Sequence, residues 1–348
     1  MLIAAIALLP VSTFLLTLVL VDSFKLVSTP TLARALVAGA LAALAATWLH
    51  TWLFGITGLR IETFSRYVAP VTEETLKALF IVYALRRRQI GFLVDAAIIG
   101  FAIGAGFAMV ENVEYLRALT SRNIWLWVVR GFGTAVLHAT TTAIIAITAK
   151  ALADRSPERG LSTLAPGWVA AVVLHSAFNH TTVSPLLSAV LMMLVLPPIV
   201  LAVFQRSEAV TREWVGAGLD LDVELLQLVK SSHFGTTRLG RYLDELKSRF
   251  AGPVVADMFC LLQLDLELSI RARGMLMARE EGLDLPADDT LRAQLAERAY
   301  LEKSIGPTGL LALRPLQVTS GRDEWHQFLL RQSGVKGRWR RGANPSSR

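Results

Sequence analysis

The chain has 348 residues, 53% hydrophobic and 18% charged, with a formal net charge of +7 and a mean hydropathy of +0.48. Its one cysteine, Cys260, excludes an intrachain disulfide and a thiolate metal cluster. The charge is unevenly spread, with 14 basic and 9 acidic residues through position 204 against 21 and 19 beyond it. So balanced a tail lacks the concentrated basic face of a nucleic-acid binder.

Up to residue 204 the sequence is a series of apolar runs of about 20 residues, the length that crosses about 30 Å of hydrocarbon. Seven spans are predicted, at roughly 2–21, 32–54, 67–85, 92–112, 124–149, 165–182 and 185–204. The first is too long for the apolar core of a signal peptide and lacks a basic leader, so it reads as a retained span. Arg86, Arg87 and Arg88 follow the third span, Lys150, Arg155 and Arg159 the fifth, and Arg206 and Arg212 the seventh. With seven spans these segments share one side, which the positive-inside rule makes cytoplasmic, leaving the N-terminus outside. Arg117, Arg122 and Arg130 in the outer segment run against that assignment. Trp48, Trp52, Trp125 and Trp127 fall near predicted outer ends, as an aromatic belt does. In the fourth span Gly100, Gly104 and Ala108 recur every four residues, a stripe that lets helices approach closely. Asp95, at the start of that span, is expected to pair with Arg86–Arg88. The tail reads as helical and soluble over 205–335, because Asp265, Glu267, Arg271 and Arg273 interrupt its most apolar helix. A basic, disordered segment follows at 336–348. The expected architecture is thus all-α: a polytopic bundle over 1–204 and a C-terminal helical domain.

An ionisable group at the centre of a membrane helix costs roughly +2.5–3.5 kcal/mol on insertion scales, so each one is a functional candidate. In the third span Glu73 and Glu74 precede Lys77 at spacings of four and three, both of which bring side chains together on a helix. The two glutamates project about 100° apart. One is therefore assigned to chemistry and the other to anchoring Lys77, against the plainer reading of a salt-bridged helix end. Glu111 and Asn112 lie at the outer end of the fourth span, His138 within the fifth, and His175 and Asn179 on one face of the sixth. Taken singly, these read as an interfacial charge, a satisfied core histidine and a helix contact. Depth joins them. Glu73 sits about 9 Å into its span at 1.5 Å per residue, Glu111 and His175 reach the same outer half, and His138 lies somewhat deeper. His50, between Trp48 and Trp52, is read as interfacial on that same side, and His180 points away from Asn179.

Glu73-Glu74-x-x-Lys77, Phe107-x-x-x-Glu111-Asn112, the membrane His138 and His175-x-x-x-Asn179 resemble, in order, the motifs of the PrsW family of intramembrane proteases. That family is related to the CAAX-processing and bacteriocin-processing (CPBP, or ABI) proteases. The resemblance covers roughly residues 66–182. It departs from the CAAX branch, which has Phe-x-x-x-His and Glu-Glu-x-x-x-Arg. It implies a glutamate-dependent hydrolase of the cell (inner) membrane that makes a site-1-like cut in a membrane-anchored regulator such as an anti-sigma factor, near the outer face. It assigns the tail no activity, and a cytoplasmic regulator is that region's candidate partner.

On this reading Glu73 is the general base and Glu74 its support with Lys77. Glu111 or His138 holds the same water or passes on the proton, and His175 and Asn179 donate to the oxyanion. No cofactor is expected. The rival is a zinc protease with Glu111, His138 and His175 as ligands and Glu73 as base, although HExxH is missing. A proton-coupled transporter would spread its polar groups through the membrane and repeat internally, and neither feature is found. A non-catalytic scaffold would not need the whole motif set.

Overall fold

A computed structural model describes residues 2–87, 89–119, 123–180, 184–283, 285, 288–313, 315 and 330. The predicted basic segment 336–348 lies outside the described residues. Regular structure among the described residues is entirely helical. The chain divides into two compact units, 1–209 and 210–348.

The first unit contains α1 (Leu2–Val21), α2 (Thr29–Thr57), α3 (Ala69–Arg86), α4 (Leu93–Ala118), α5 (Ala135–Arg155) and α6 (Ala165–Asn179). It also holds the apolar start of α7 (Pro185–Lys230), the helix in which the division falls. Among the described residues six stretches are long and apolar enough to cross a membrane: Leu2–Val21, Thr29–Thr57, Leu93–Ala118, Ile124–Arg155, Gly160–Asn179 and Pro185–Lys230. The third predicted span, now α3, is not among them. At 18 residues it is about 27 Å long, but Glu73, Glu74, Lys77 and Arg86 offset its apolar residues. The seventh predicted span also differs, because α7 does not end at 204. No proline or glycine interrupts it from Ile199 to Val215, and the helix runs on into charged sequence.

α4 is the axis of this unit, and Val94 to Ala108 are buried without interruption. Its glycines explain how. A Cβ on Gly104 would lie 2.2 Å from the His138 carbonyl oxygen, and one on Gly100 would lie 2.8 Å from that of Thr142, so α5 rests directly on the backbone there. On the other side a Cβ on Gly106 would meet the Leu36 carbonyl at 2.1 Å, and one on Gly39 of α2 would meet that of Ile103 at 1.8 Å. The predicted stripe thus serves α5, and a second glycine pair serves α2. Trp48, Trp52 and Trp125 are exposed, as a belt requires, whereas Trp127 is fully buried. Asp95 accepts from the backbone N–H groups of Gly91 and Phe92 at 2.8 and 3.0 Å, so it caps α4; of its expected partners, Arg88 lies outside the described residues.

Among the described residues two turns of π-helix interrupt the bundle, Phe64–Val68 just before α3 and Val129–Thr134 just before α5. Such turns carry one residue more than an α-turn and occur often at functional sites.

The second unit holds α8 (Arg238–Leu246), α9 (Gly252–Glu280) and α10 (Asp289–Leu313), the last kinked at Gly306 (φ 72°) ahead of Pro307. Leu261, Leu268 and Leu276 of α9 are buried in its core with Leu291 and Leu301 of α10. Its buried arginines, among the described residues, are matched internally. Arg273 reaches Asp222 at 2.9 Å and stacks 4.2 Å over Trp214, against Gly218. Arg298 reaches Asp265 at 2.6 Å, and burial pushes the Asp265 carboxyl above its ordinary range even so.

A matched pair of substitutions tests the backbone packing. Gly104→Ala, which meets the His138 carbonyl, lowers stability by about 1–3 kcal/mol. Gly55→Ala, with nothing within 4 Å, leaves it unchanged or raises it by up to about 1 kcal/mol. Thermal unfolding in detergent reads both, and equal effects would contradict the close contact.

Candidate active site

α3 enters the bundle through the Phe64–Val68 turn and presents Glu73, Glu74 and Lys77, all three buried, toward α5 and α6. Glu74 and Lys77 have no exposed side-chain surface and form an ion pair of 2.7 Å. Lys77 therefore takes the partner at i−3, and Glu73 points elsewhere. The same oxygen, Glu74 Oε1, is 2.8 Å from His175 Nδ1 and 3.4 Å from the Thr141 hydroxyl. A carboxylate only accepts, so His175 carries its proton on Nδ1 and its Nε2 lone pair is free.

His138 is fixed in the same way. Its Nε2 lies 3.0 Å from Glu111 Oε2 and its Nδ1 lies 3.1 Å from Lys77 Nζ. Nε2–H therefore donates to Glu111, and Nδ1 accepts from the ammonium. Phe107 packs against the His138 ring at 4.9 Å and beneath Lys77 at 4.9 Å. Glu111 is held in turn by Arg130 at 3.1 Å. Arg130 donates to Asn112 Oδ1 at 2.9 Å and stacks 3.5 Å from the Tyr115 ring. Asn112 donates to the Ala7 carbonyl of α1 at 2.7 Å. Arg130 is thus a buried counter-charge on the second π-turn and not an interfacial loop charge.

Glu73 is the carboxylate without a cation in contact. Its Oε2 is sealed from solvent, makes no hydrogen bond, and lies 3.9 Å from both His138 Nδ1 and His175 Nε2. The two rings meet edge to face at 4.8 Å. Oε1 faces His50 Nδ1 of α2 at 4.0 Å. The chain thus brings Glu73, Glu74, Lys77, Glu111, His138 and His175 into one cluster. Asn112 and Asn179 stand behind it. Asn179 donates to the Ser65 carbonyl at 2.9 Å, and Ser176 donates to that of Arg66 at 2.7 Å, so α6 clamps the first π-turn. His180 pairs with Tyr67 on the same turn at 3.1 Å. Sequence reasoning missed Arg130 and set His50 aside. The available signal was the same one that found the others, an ionisable side chain in an apolar stretch.

Glu73, His138 and His175 offer three ligand atoms within 4.8 Å of one another, a donor set suited to a divalent metal ion. Two imidazoles and a carboxylate are one of the ligand sets of catalytic zinc, and the 3.9 Å spacings are within about 0.5 Å of what tetrahedral bonds of about 2.0–2.2 Å to a single ion leave. Both histidines hold their remote N–H on a carboxylate, the usual support for a metal-binding imidazole. The orphaned Oε2 fits the same reading. One adjustment is needed: Lys77 releases His138 Nδ1 and keeps Glu74.

Residues 26–203 match the model of a family described as PrsW family intramembrane metalloprotease. No curated protein and no solved structure matches the chain. The expectation of a cofactor-free site is therefore corrected by the family's description as metalloproteases and by the Glu73–His138–His175 cluster. The acid in that cluster is Glu73. Glu111, which the zinc reading named, has its oxygens engaged by Arg130 and His138.

Removing Lys77 tests the charge compensation. Lys77→Met strands Glu74 and costs about 3–5 kcal/mol, and adding Glu74→Gln recovers part of the loss. Detergent thermal melts give both values; a cost below about 1 kcal/mol for the single variant would rule out an obligatory pair.

Proposed function

This chain belongs to the PrsW family of intramembrane metalloproteases, and on that basis we propose that it hydrolyses a peptide bond with water activated beside Glu73. Family membership makes it a membrane peptidase acting on a membrane-anchored substrate in the bilayer. The observation that carries the finer reading is Glu73 Oε2, buried without a donor and 3.9 Å from two imidazole nitrogens, His175 Nε2 with a free lone pair and His138 Nδ1 with one that Lys77 shares.

Glu73, His138 and His175 would hold a divalent metal ion, which when bound supplies Lewis-acid polarisation of the scissile carbonyl and a more acidic water. The remaining steps belong to the chain. Glu73 Oε1 takes a proton from the water as the water oxygen bonds to the carbonyl carbon. It returns that proton to the nitrogen as the C–N bond breaks. Glu74 and Glu111 hold the outer N–H groups of His175 and His138, which keeps the two lone pairs on one side. Lys77 compensates Glu74, and Arg130 with Asn112 anchors Glu111. Asn179 positions the start of α3 by donating one of its two amide N–H groups to the Ser65 carbonyl.

The orientation rests on Arg86, Arg87, Lys150, Arg155, Arg206 and Arg212, with α3 counted as a span. It leaves the N-terminus outside the cell membrane, residues 205–335 in the cytoplasm, and the site in the outer half of the bilayer. Arg130 does not count against it, since its charge is held by Glu111. That depth suits cleavage of an anchored regulator such as an anti-sigma factor near the outer face, and residues 205–335 are available to a cytoplasmic regulator.

Comparing membrane proteomes tests the assignment. Cells carrying Glu73→Gln retain an intact membrane protein that wild-type cells cut, while the variant inserts at the wild-type level. Purified protein contains about one divalent ion per chain, His138→Ala and His175→Ala lose it, and chelation stops cleavage until zinc is returned. Normal cleavage by Glu73→Gln, or by metal-stripped protein, would sink this reading.

A further inference from the structure

α2 contributes none of the motif residues, yet it delivers a histidine to the site. His50 Nε2 lies 2.7 Å from the Thr72 hydroxyl oxygen. That hydroxyl is 3.0 Å from each of the Val68 and Ala69 carbonyls, and its single hydrogen belongs to them. With its hydrogen on those carbonyls Thr72 accepts from His50, and in that tautomer Nε2 carries the proton and Nδ1 is a bare lone pair. Phe64 of the π-turn meets the ring edge-on at 5.3 Å, with an interplanar angle of 82°, and limits its rotation. Nδ1 faces Glu73 Oε1 across 4.0 Å. Two acceptors at that separation make no bond to each other. What fits between them is a small group with two hydrogens on one atom, held at about 2.8 Å from each. The side chains of His50 and Glu73 keep 21% and 11% exposure, and none of the latter is at Oε2, so what surface Glu73 keeps lies away from its buried oxygen.

We propose that His50 is a further catalytic residue, whose Nδ1 accepts one hydrogen of the attacking water while Glu73 Oε1 accepts the other. This rests on the reading of Glu73 as the general base. The pairing orients the nucleophile: both hydrogens are engaged and a lone pair of the water oxygen is left for the carbonyl carbon. Only the hydrogen on Glu73 transfers; the one on His50 stays on oxygen and becomes part of the product acid. Thr72 and Phe64 are positioning residues for this imidazole.

The test uses the full chain in proteoliposomes, with the membrane protein that accumulates in Glu73→Gln cells as substrate. His50→Phe keeps the ring and its packing but removes the acceptor. It lowers kcat about 10²-fold, the scale of a misplaced reacting group, with KM and bound zinc unchanged. His50→Asn, which can present an amide oxygen near the Nδ1 position, recovers part of the rate. Wild-type kcat in His50→Phe overturns the proposal, as does loss of zinc in parallel with activity, which would make His50 a ligand or a structural residue. If His50→Phe does not fold, Thr72→Val keeps His50 and frees its tautomer; a fall in kcat of about tenfold supports the proposal and an unchanged kcat overturns it. An inactive Glu73→Gln beside a fully active His50→Phe removes this inference alone, whereas an active Glu73→Gln removes the reading beneath it.

Discussion

A carboxylate and an ammonium, Glu74 and Lys77, sit in the bundle with no exposed side-chain surface and 2.7 Å between them. Neither charge is tolerable there alone, since desolvation costs several kcal/mol per ion. Their mutual attraction offsets that cost only if the remaining donors and acceptors are also matched. Glu74 Oε1 draws in the N–H of His175, and Lys77 turns a second N–H to Nδ1 of His138. A charge-compensation requirement on one helix thus sets the proton positions of imidazoles on two others. The catalytic reading of those imidazoles depends on which nitrogen is left bare.

The second compensated charge works from the other side. Glu111 is held by Arg130, which is braced by Asn112 and Tyr115, and Asn112 is tied to α1 at the Ala7 carbonyl. Glu111 then receives the remaining N–H of His138. Of the three acids in the cluster, two are matched to a cation and to a histidine. Glu73 is matched to neither at bonding distance, and its two oxygens face different surroundings: one the sealed space between the imidazoles, the other the gap before His50. This asymmetry is what distinguishes Glu73 from its neighbour. Beside His138 itself, glycines bring α4 onto α5 at backbone contact.

The π-turns belong to the same arrangement. Each precedes a helix that carries site residues, and each adds a residue to the turn, which rotates that helix about its axis relative to the segment before it. The first is held through its free carbonyls by Ser176 and Asn179 and carries Phe64 against His50. The second carries Arg130. Asn179 also helps to hold the first of these turns in place.

The helical class, the positions of most membrane spans and the cluster's principal members were legible in the sequence, because the length of apolar runs and the cost of a charge in hydrocarbon are one-dimensional properties. Glu73, Glu74, Lys77, Glu111, His138 and His175 could all be picked out on that ground. Their partners could not, and came only with the packing of the helices. A helical period states which residues share a face but not which helix that face meets, and the two π-turns break the period just where it would have been extrapolated. So Lys77 chose Glu74 over Glu73, and Arg130 turned inward. Asp95 became a cap, and His50 came to stand across from Glu73. The corrected cofactor reading has the same origin: three donor atoms from α3, α5 and α6 converge on one point, and convergence is a property of space that no spacing along the chain encodes.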